Sequence, residues 1–351
     1  MRDAIGKEAR TVGARIAGVV ACLPREELGN AAFSEVFGEA AVEDVSRMTG
    51  VRARRHAAPG VTTRDLCREA GLRLLDGLGW EPESVDAVIF VSQTPDYRLP
   101  ASACALQADL GVGPACVAFD LNLGCSGYPY GLWLAMTLVQ GGAVGRVLLA
   151  VGDTISRLVD PQDRATALLF GDAGTVTAIE RSAHGGAAHF ILGSDGHGAS
   201  NLIVPQGGMR AHAPGADPRL DGRDPSTLYM DGGEIFNFTL RSVPPLVART
   251  MEAADAGVDQ HDAFLFHQAN LFMLKHLVKK SKLPLDKVPM NIERYGNTSS
   301  ASIPLLMTTE LAGPLRSRAL RLAMFGFGVG YSWASASLEV GPLAVCETME
   351  R

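Results

Sequence analysis

At a fixed offset of 176 residues this chain resembles itself. Asp86-Ala87-Val88-Ile89-Phe90 lines up with Asp262-Ala263-Phe264-Leu265-Phe266; Asp, Ala and Phe are identical and the other two positions are apolar in both. At the same offset the helical segment after Cys125 meets 302–311, and the apolar run 147–151 meets 323–327. Three matches at one spacing imply two copies of one α/β unit. Each copy reads strand, helix, strand, helix, strand, which predicts a mainly parallel sheet covered by helices. The halves are placed at 1–182 and 183–351, the first copy starting near Ile16 and the second near Phe190. A chain of 351 residues exceeds what one core usually serves, in keeping with two packed halves. The polar tract 195–231, rich in Gly, Pro, His and Asp, is too long for an ordinary connector; it either covers a site or tunnel or is a solvated surface loop.

Three polar residues stand at strand-to-helix junctions. In Asn122-Leu123-Gly124-Cys125-Ser126-Gly127 a cysteine follows the apolar run 117–121 and precedes a helical pattern over 128–140. Its place over a helix N-terminus predicts a thiol shifted toward thiolate, the nucleophilic form, with small neighbours that admit a substrate. A lone cysteine in an apolar stretch is ordinarily an inert packing residue, so partners decide the matter. His267 ends the apolar run in Phe264-Leu265-Phe266-His267-Gln268-Ala269-Asn270, and Asn297 lies in the glycine turn Arg294-Tyr295-Gly296-Asn297-Thr298-Ser299-Ser300. Cys125 belongs to the first half and the other two to the second. The duplication therefore predicts that they meet at the seam, where pockets commonly form.

Composition narrows the alternatives. The chain is 47% hydrophobic and 20% charged, as in ordinary globular proteins, and its net charge of −6 gives no bulk attraction to nucleic acid. The six cysteines have neither C-x-x-C pairing nor zinc-ligand spacing, and the histidines form no metal-ligand grouping, so no metal is expected. No secretory signal and no membrane-spanning apolar stretch are read, and a reduced cytoplasmic setting is expected. The glycines at 326, 328 and 330 lack the spacing of a dinucleotide fingerprint.

Taken together, Gly124-Cys125-Ser126-Gly127, His267-Gln268-Ala269-Asn270 and Gly296-Asn297-Thr298-Ser299 resemble β-ketoacyl-acyl-carrier-protein synthase III, of the thiolase superfamily. Asp160-Pro161-Gln162-Asp163-Arg164, Phe170-Gly171-Asp172-Ala173-Gly174 and Phe327-Gly328-Val329-Gly330-Tyr331-Ser332-Trp333 extend the likeness, which runs from about Ile16 to Val340. The resemblance implies a five-layer α-β-α-β-α fold, a homodimer, a Cys125-His267-Asn297 triad and a role in fatty acid biosynthesis. It implies that Cys125 takes an acyl group from an acyl-CoA, and that malonyl-acyl carrier protein then loses carbon dioxide and attacks the thioester. No permanently bound cofactor is implied; the substrates are acyl-CoA and phosphopantetheine-linked thioesters. The backbone N–H groups of Cys125 and Val329 occupy the positions of the family's oxyanion hole, and Arg164 that of a CoA contact.

The chain also departs from the family. Asp44 and Met48 stand where Trp and Arg commonly stack on the CoA adenine, Leu99 where an aromatic residue borders the partner's primer pocket, Phe272 where a basic residue is frequent, and Val329 where glycine is usual. These departures point to a divergent paralogue with an unusual primer or carrier. Lys275, Lys279 and Lys282, with Lys280 beside them, form a basic stripe at helical spacing that suits an acidic carrier protein, or is simply a solvated helix face. The competing function is a non-condensing acyltransferase that passes the acyl group from Cys125 to an alcohol or amine. The asparagine argues against it, because simple acyl transfer creates no enolate.

Overall fold

The computed structural model describes residues 5–211, 213, 215 and 217–351. Two large sheets are built from Lys7–Thr11 (β1), Ala14–Leu23 (β2), Ala87–Val91 (β3), Val117–Leu121 (β4), Arg146–Asp153 (β5), Ala173–Arg181 (β6), Ala188–Ser194 (β7), Ala263–Phe266 (β8), Leu320–Gly328 (β9), Ser332–Val340 (β10) and Val345–Glu350 (β11). The first sheet has the order β11-β2-β6-β5-β3-β4 and the second β1-β7-β10-β9-β8. Strands β3 and β8 are buried along their whole length, which is why they read as unbroken apolar runs.

Five layers result. Helix α2 (Gly127–Gln140) and helix α5 (Ser302–Thr309) lie between the sheets. Helix α2 packs on β3 and β5 on one side and on β9 and β10 on the other, while α5 packs on β2, β11 and β8. Tyr128, Leu132 and Met136 of α2 and Ile303, Leu306 and Met307 of α5 join Ile89, Leu149, Leu265 and Met324 in one central core. Helix α1 (Thr63–Leu78) covers the outer face of the first sheet. A reciprocal Thr62/Asp65 cap starts it and left-handed Gly79 (φ +62°) ends it. Helices α3 (Gly232–Ala253) and α4 (Leu271–Lys280) cover the outer face of the second sheet, over Phe264, Phe266 and Phe325.

The repeated unit survives as matched pairs: β3 is parallel to β5 as β8 is to β9, within one residue of equivalent register. The expectation of mainly parallel sheets holds for the first sheet, with three of its five pairings parallel, and fails for the second. In the second sheet only β8 and β9 run parallel, and β6 is antiparallel to both of its neighbours. The reason is local: β9 returns as β10 through Val329-Gly330-Tyr331, with Gly328 opposite Ser332, and a hairpin needs no crossover helix. The terminal strands also change sides. β1 pairs with β7 in the second sheet, and β11 pairs with β2 in the first.

Candidate active site

The nucleophile candidate sits where β4 gives way to α2. The Gly127 N–H donates to the Gly124 carbonyl at 2.6 Å, closing a tight elbow with Cys125 at its tip. Strand β9 runs directly against this elbow. A Cβ at Gly328 would stand 2.8 Å from the Cys125 Cβ and 3.0 Å from its Sγ; one at Gly326 would stand 2.8 Å from the Cys125 carbonyl oxygen. Only residues without a side chain permit that approach. The Ser126 and Ser332 hydroxyls are 2.6 Å apart, and Ser332 Oγ donates to the Val329 carbonyl at 2.8 Å. The turn carrying the Val329 N–H is thus tied to the elbow.

Cys125 is buried, and burial together with the negative charge of Asp153 pushes its thiol up to about 12, while Ser299 and the backbone N–H groups of Cys125 and Val329 pull the other way. The expectation of a thiol shifted toward thiolate is therefore corrected. Desolvation outweighs the helix N-terminus, and the resting group is a neutral thiol.

His267 and Asn297 approach from the second half, and Ser299 joins them to Cys125. His267 follows β8 directly; its N–H donates to the Phe325 carbonyl at 2.8 Å. Its Nδ1 lies 2.9 Å from Ser302 Oγ, which is itself 3.0 Å from the Ser299 carbonyl. Nδ1 being engaged, Nε2 is the nitrogen available for chemistry. Burial drives the imidazole down to about 3, with the Ser299 backbone opposing, so the ring is neutral at physiological pH.

Asn297 is clamped to the first half: its N–H donates to the Leu169 carbonyl at 2.9 Å and its carbonyl accepts from the Gly171 N–H at 3.0 Å. Its Oδ1 accepts the Ser299 N–H at 2.9 Å. That bond fixes the amide orientation and leaves Nδ2 as the donor, with one long contact of 3.4 Å to the Ala269 carbonyl. Ser299, the common neighbour, holds φ +50°, a backbone state rare outside glycine and frequent at functional sites.

A cavity of 810 Å³ opens from Cys125, Ser299 and Val329. Ile155, Leu158 and Phe170 form one apolar wall, and Leu202, Val204 and Leu228 another. The second wall comes from the tract 195–231, where Leu202–Ile203 pairs with Tyr229–Met230 as a small ribbon. Positions 212, 214 and 216 of that tract lie outside the described residues.

The remaining sequence candidates lie away from this cavity. Arg164 is exposed at the start of the short helix Arg164–Ala167. Lys275, Lys279 and Lys280 are exposed on α4, but the stripe stops there: α4 ends at Lys280, and Lys282 follows in a turn with φ +55°. Leu99 is 82% exposed in the loop before Ser102–Asp109. Asp44 pairs with Arg47 at 3.2 Å on the surface helix Glu39–Thr49, and Met48 is exposed beside it. Sequence reasoning missed Ser299, Ser302 and Asp153. The one available signal was a carboxylate closing the apolar run of β5 after Arg146.

Comparison with known proteins places this geometry in context. Residues 119–196 match the family described as 3-oxoacyl-[acyl-carrier-protein (ACP)] synthase III, and residues 251–340 match its C-terminal counterpart. The beta-ketoacyl-[acyl-carrier-protein] synthase III of Caldanaerobacter subterraneus subsp. tengcongensis is 32% identical over 329 residues, covering 93% of this chain and 98% of that protein. A putative 3-oxoacyl-[acyl-carrier-protein] synthase 3 of Campylobacter jejuni is 36% identical, covering 93% of each. The crystal structure of a 3-oxoacyl-(acyl-carrier protein) synthase from Burkholderia xenovorans LB400 superposes with a TM-score of 0.98 at 61% identity, covering 99% of both chains. The priming β-ketosynthase of the R1128 polyketide pathway superposes at 0.81 with 29% identity, covering 94% of this chain and 97% of that one.

Proposed function

The chain belongs to the β-ketoacyl-acyl-carrier-protein synthase III family of the thiolase superfamily, and from that premise we propose how its residues carry out the decarboxylative condensation of an acyl-CoA with malonyl-acyl carrier protein. It is a condensing enzyme, and its first half-reaction is an acyl transfer. Cys125 is the nucleophile, and the halves 1–182 and 183–351 supply the thiol on one side and its two partners on the other. The observation that carries this reading is the convergence of Cys125, His267 and Asn297 on Ser299.

In the first half-reaction His267 Nε2 takes the Cys125 proton as sulfur attacks the primer thioester. The resting groups are neutral, so charge develops only along the reaction path, in a buried site where it is not screened. The N–H groups of Cys125 and Val329 receive the oxyanion. The CoA sulfur leaves as the carbonyl re-forms and takes the proton back. In the second, malonyl-acyl carrier protein enters and its carboxylate departs as carbon dioxide. The negative charge left on the thioester oxygen is met by Asn297 Nδ2 and by His267, whose Nε2 has taken up a proton from solvent. The enolate carbon then attacks the Cys125 thioester, and the Cys125 thiolate released takes the proton from His267 Nε2.

The same proposal assigns the exposed face of Lys275, Lys279 and Lys280, with Arg164, to the carrier protein or CoA. It also assigns a homodimer, supported by exposed Tyr97 at the cavity, exposed Leu99 in the same loop and exposed Val117 on edge strand β4. A cytoplasmic location belongs to this reading too, supported by six free cysteines. No helix among the described residues is long and apolar enough to cross a membrane.

The experiment combines the protein with a series of acyl-CoA primers and malonyl-acyl carrier protein. A β-ketoacyl product, carbon dioxide release and an acyl adduct mapped to Cys125 are expected, and Cys125→Ala should lose all three. An adduct on another residue, or an ester or amide product without carbon dioxide, would refute the assignment.

A further inference from the structure

Asp153 closes β5 one layer behind the nucleophile, completely buried, and the bonds it makes come from both halves of the molecule. Oδ1 accepts the Gln93 N–H at 2.7 Å, Ser92 Oγ at 3.1 Å and Thr94 Oγ1 at 3.3 Å. Oδ2 accepts Ser300 Oγ at 2.8 Å and the Ser300 N–H at 3.5 Å. No lysine or arginine is among these partners. A buried carboxylate held only by neutral donors is expensive to keep, so its retention needs a reason.

Its neighbours supply one. Gln93 and Ser299 both line the cavity with Cys125, and a Cβ at Gly124 would collide with Gln93. Ser300 follows Ser299 in the loop that runs from Asn297 to α5. We propose that Asp153 is a positioning residue for the condensation, its two oxygens locking the strand end at 92–94 to the loop at 299–300. The lock fixes where Ser299 stands between Cys125 and His267. Burial raises both the Asp153 carboxyl and the Cys125 thiol, and the Ser299 hydroxyl pulls each of them the other way, so it links the carboxylate to the sulfur. The carboxylate also opposes ionisation of the two thiols it faces, Cys125 on the elbow and Cys67 in α1. Asp153 thereby adds to burial, the larger cause, in disfavouring the resting thiolate. This role rests on the assignment of Cys125, His267 and Asn297 given above.

The test uses Asp153→Asn, which removes the charge and keeps one accepting oxygen, and Ser300→Ala, which cuts the bond to the loop. Labelling of Cys125 by iodoacetamide, mapped by peptide mass across pH, needs no substrate and so stands apart from the condensation reading. In Asp153→Asn the labelling midpoint should fall, each pH unit raising the rate at neutral pH about tenfold. In Ser300→Ala, carbon dioxide release should fall several-fold more than Cys125 acylation does. An unchanged labelling midpoint in Asp153→Asn overturns the proposal. If that variant does not fold, Ser300→Ala decides: equal losses in both half-reactions, or none, overturn it. A wild-type enzyme that releases no carbon dioxide instead sinks the condensation reading.

Discussion

Replacing Gly328 with alanine tests the geometry at the nucleophile most directly. The new Cβ would stand 2.8 Å from the Cys125 Cβ and 3.0 Å from Sγ. Carbon atoms rest about 3.5–4.0 Å apart, so one side must yield by about 0.7–1.2 Å. Strand β9 is paired on both sides, by β8 and β10, and the elbow is capped by α2, so the sulfur is the softer party. Overpacking of this kind costs about 1–3 kcal/mol. At about 2.1 cal/mol/K per residue that lowers Tm by only about 1–4 °C for a chain of this length. The kinetic effect should be far larger, because a misplacement of about 1 Å at a reacting atom costs about 100-fold in rate. Single-turnover acylation of Cys125, followed by intact mass, should therefore slow about 100-fold in a protein that melts almost normally. Wild-type acylation in Gly328→Ala would refute the reasoning, because it would mean the strand or the thiol relaxes freely.

Asn297→Ala should leave acylation of Cys125 intact and slow carbon dioxide release about 100- to 1,000-fold, the scale of losing one oxyanion donor; equal losses in both steps would contradict its assigned role. His267 is held down to about 3 by burial, so in acid the unfolded chain binds a proton that the folded chain refuses. Stability should therefore fall as pH drops below about 6.5, by up to about 1.4 kcal/mol per pH unit from this group. His267→Gln should flatten that slope in denaturant titrations, and an unchanged slope would refute the cause. Charge reversal at Lys275 and Lys279 together should raise KM for malonyl-acyl carrier protein in a salt-dependent way and spare acylation by acyl-CoA; a salt-independent effect would count against a docking face.

Much of the architecture was legible because apolar runs and their repetition are local properties of the chain. The strand at 117–121 and the helix that follows Cys125 appear where periodicity placed them. The strands at β1 and β11 escaped notice because their sequences, Lys7–Thr11 and Val345–Glu350, are short and polar, as edge strands are. The protonation of Cys125 was misread for an energetic reason. A helix terminus is worth at most about 2 kcal/mol, whereas lifting a buried thiol from its ordinary value to about 12 corresponds to about 4 kcal/mol. Ser299 and Asp153 were invisible because serine and aspartate acquire meaning only from what burial sets beside them.

The exchanged ends of the chain bear on how it assembles. During synthesis the sheet behind Cys125 stays open along β2 until residues 345–350 emerge, and β7 must recruit its outer neighbour from residues 7–11, made well before it. Each sheet borrows an edge strand from the other half, so deleting residues 7–11 or 345–350 should wound the sheet built from the opposite half. Because thiol and carboxamide come from different lobes, the ribosome must pass residue 297 before chemistry begins.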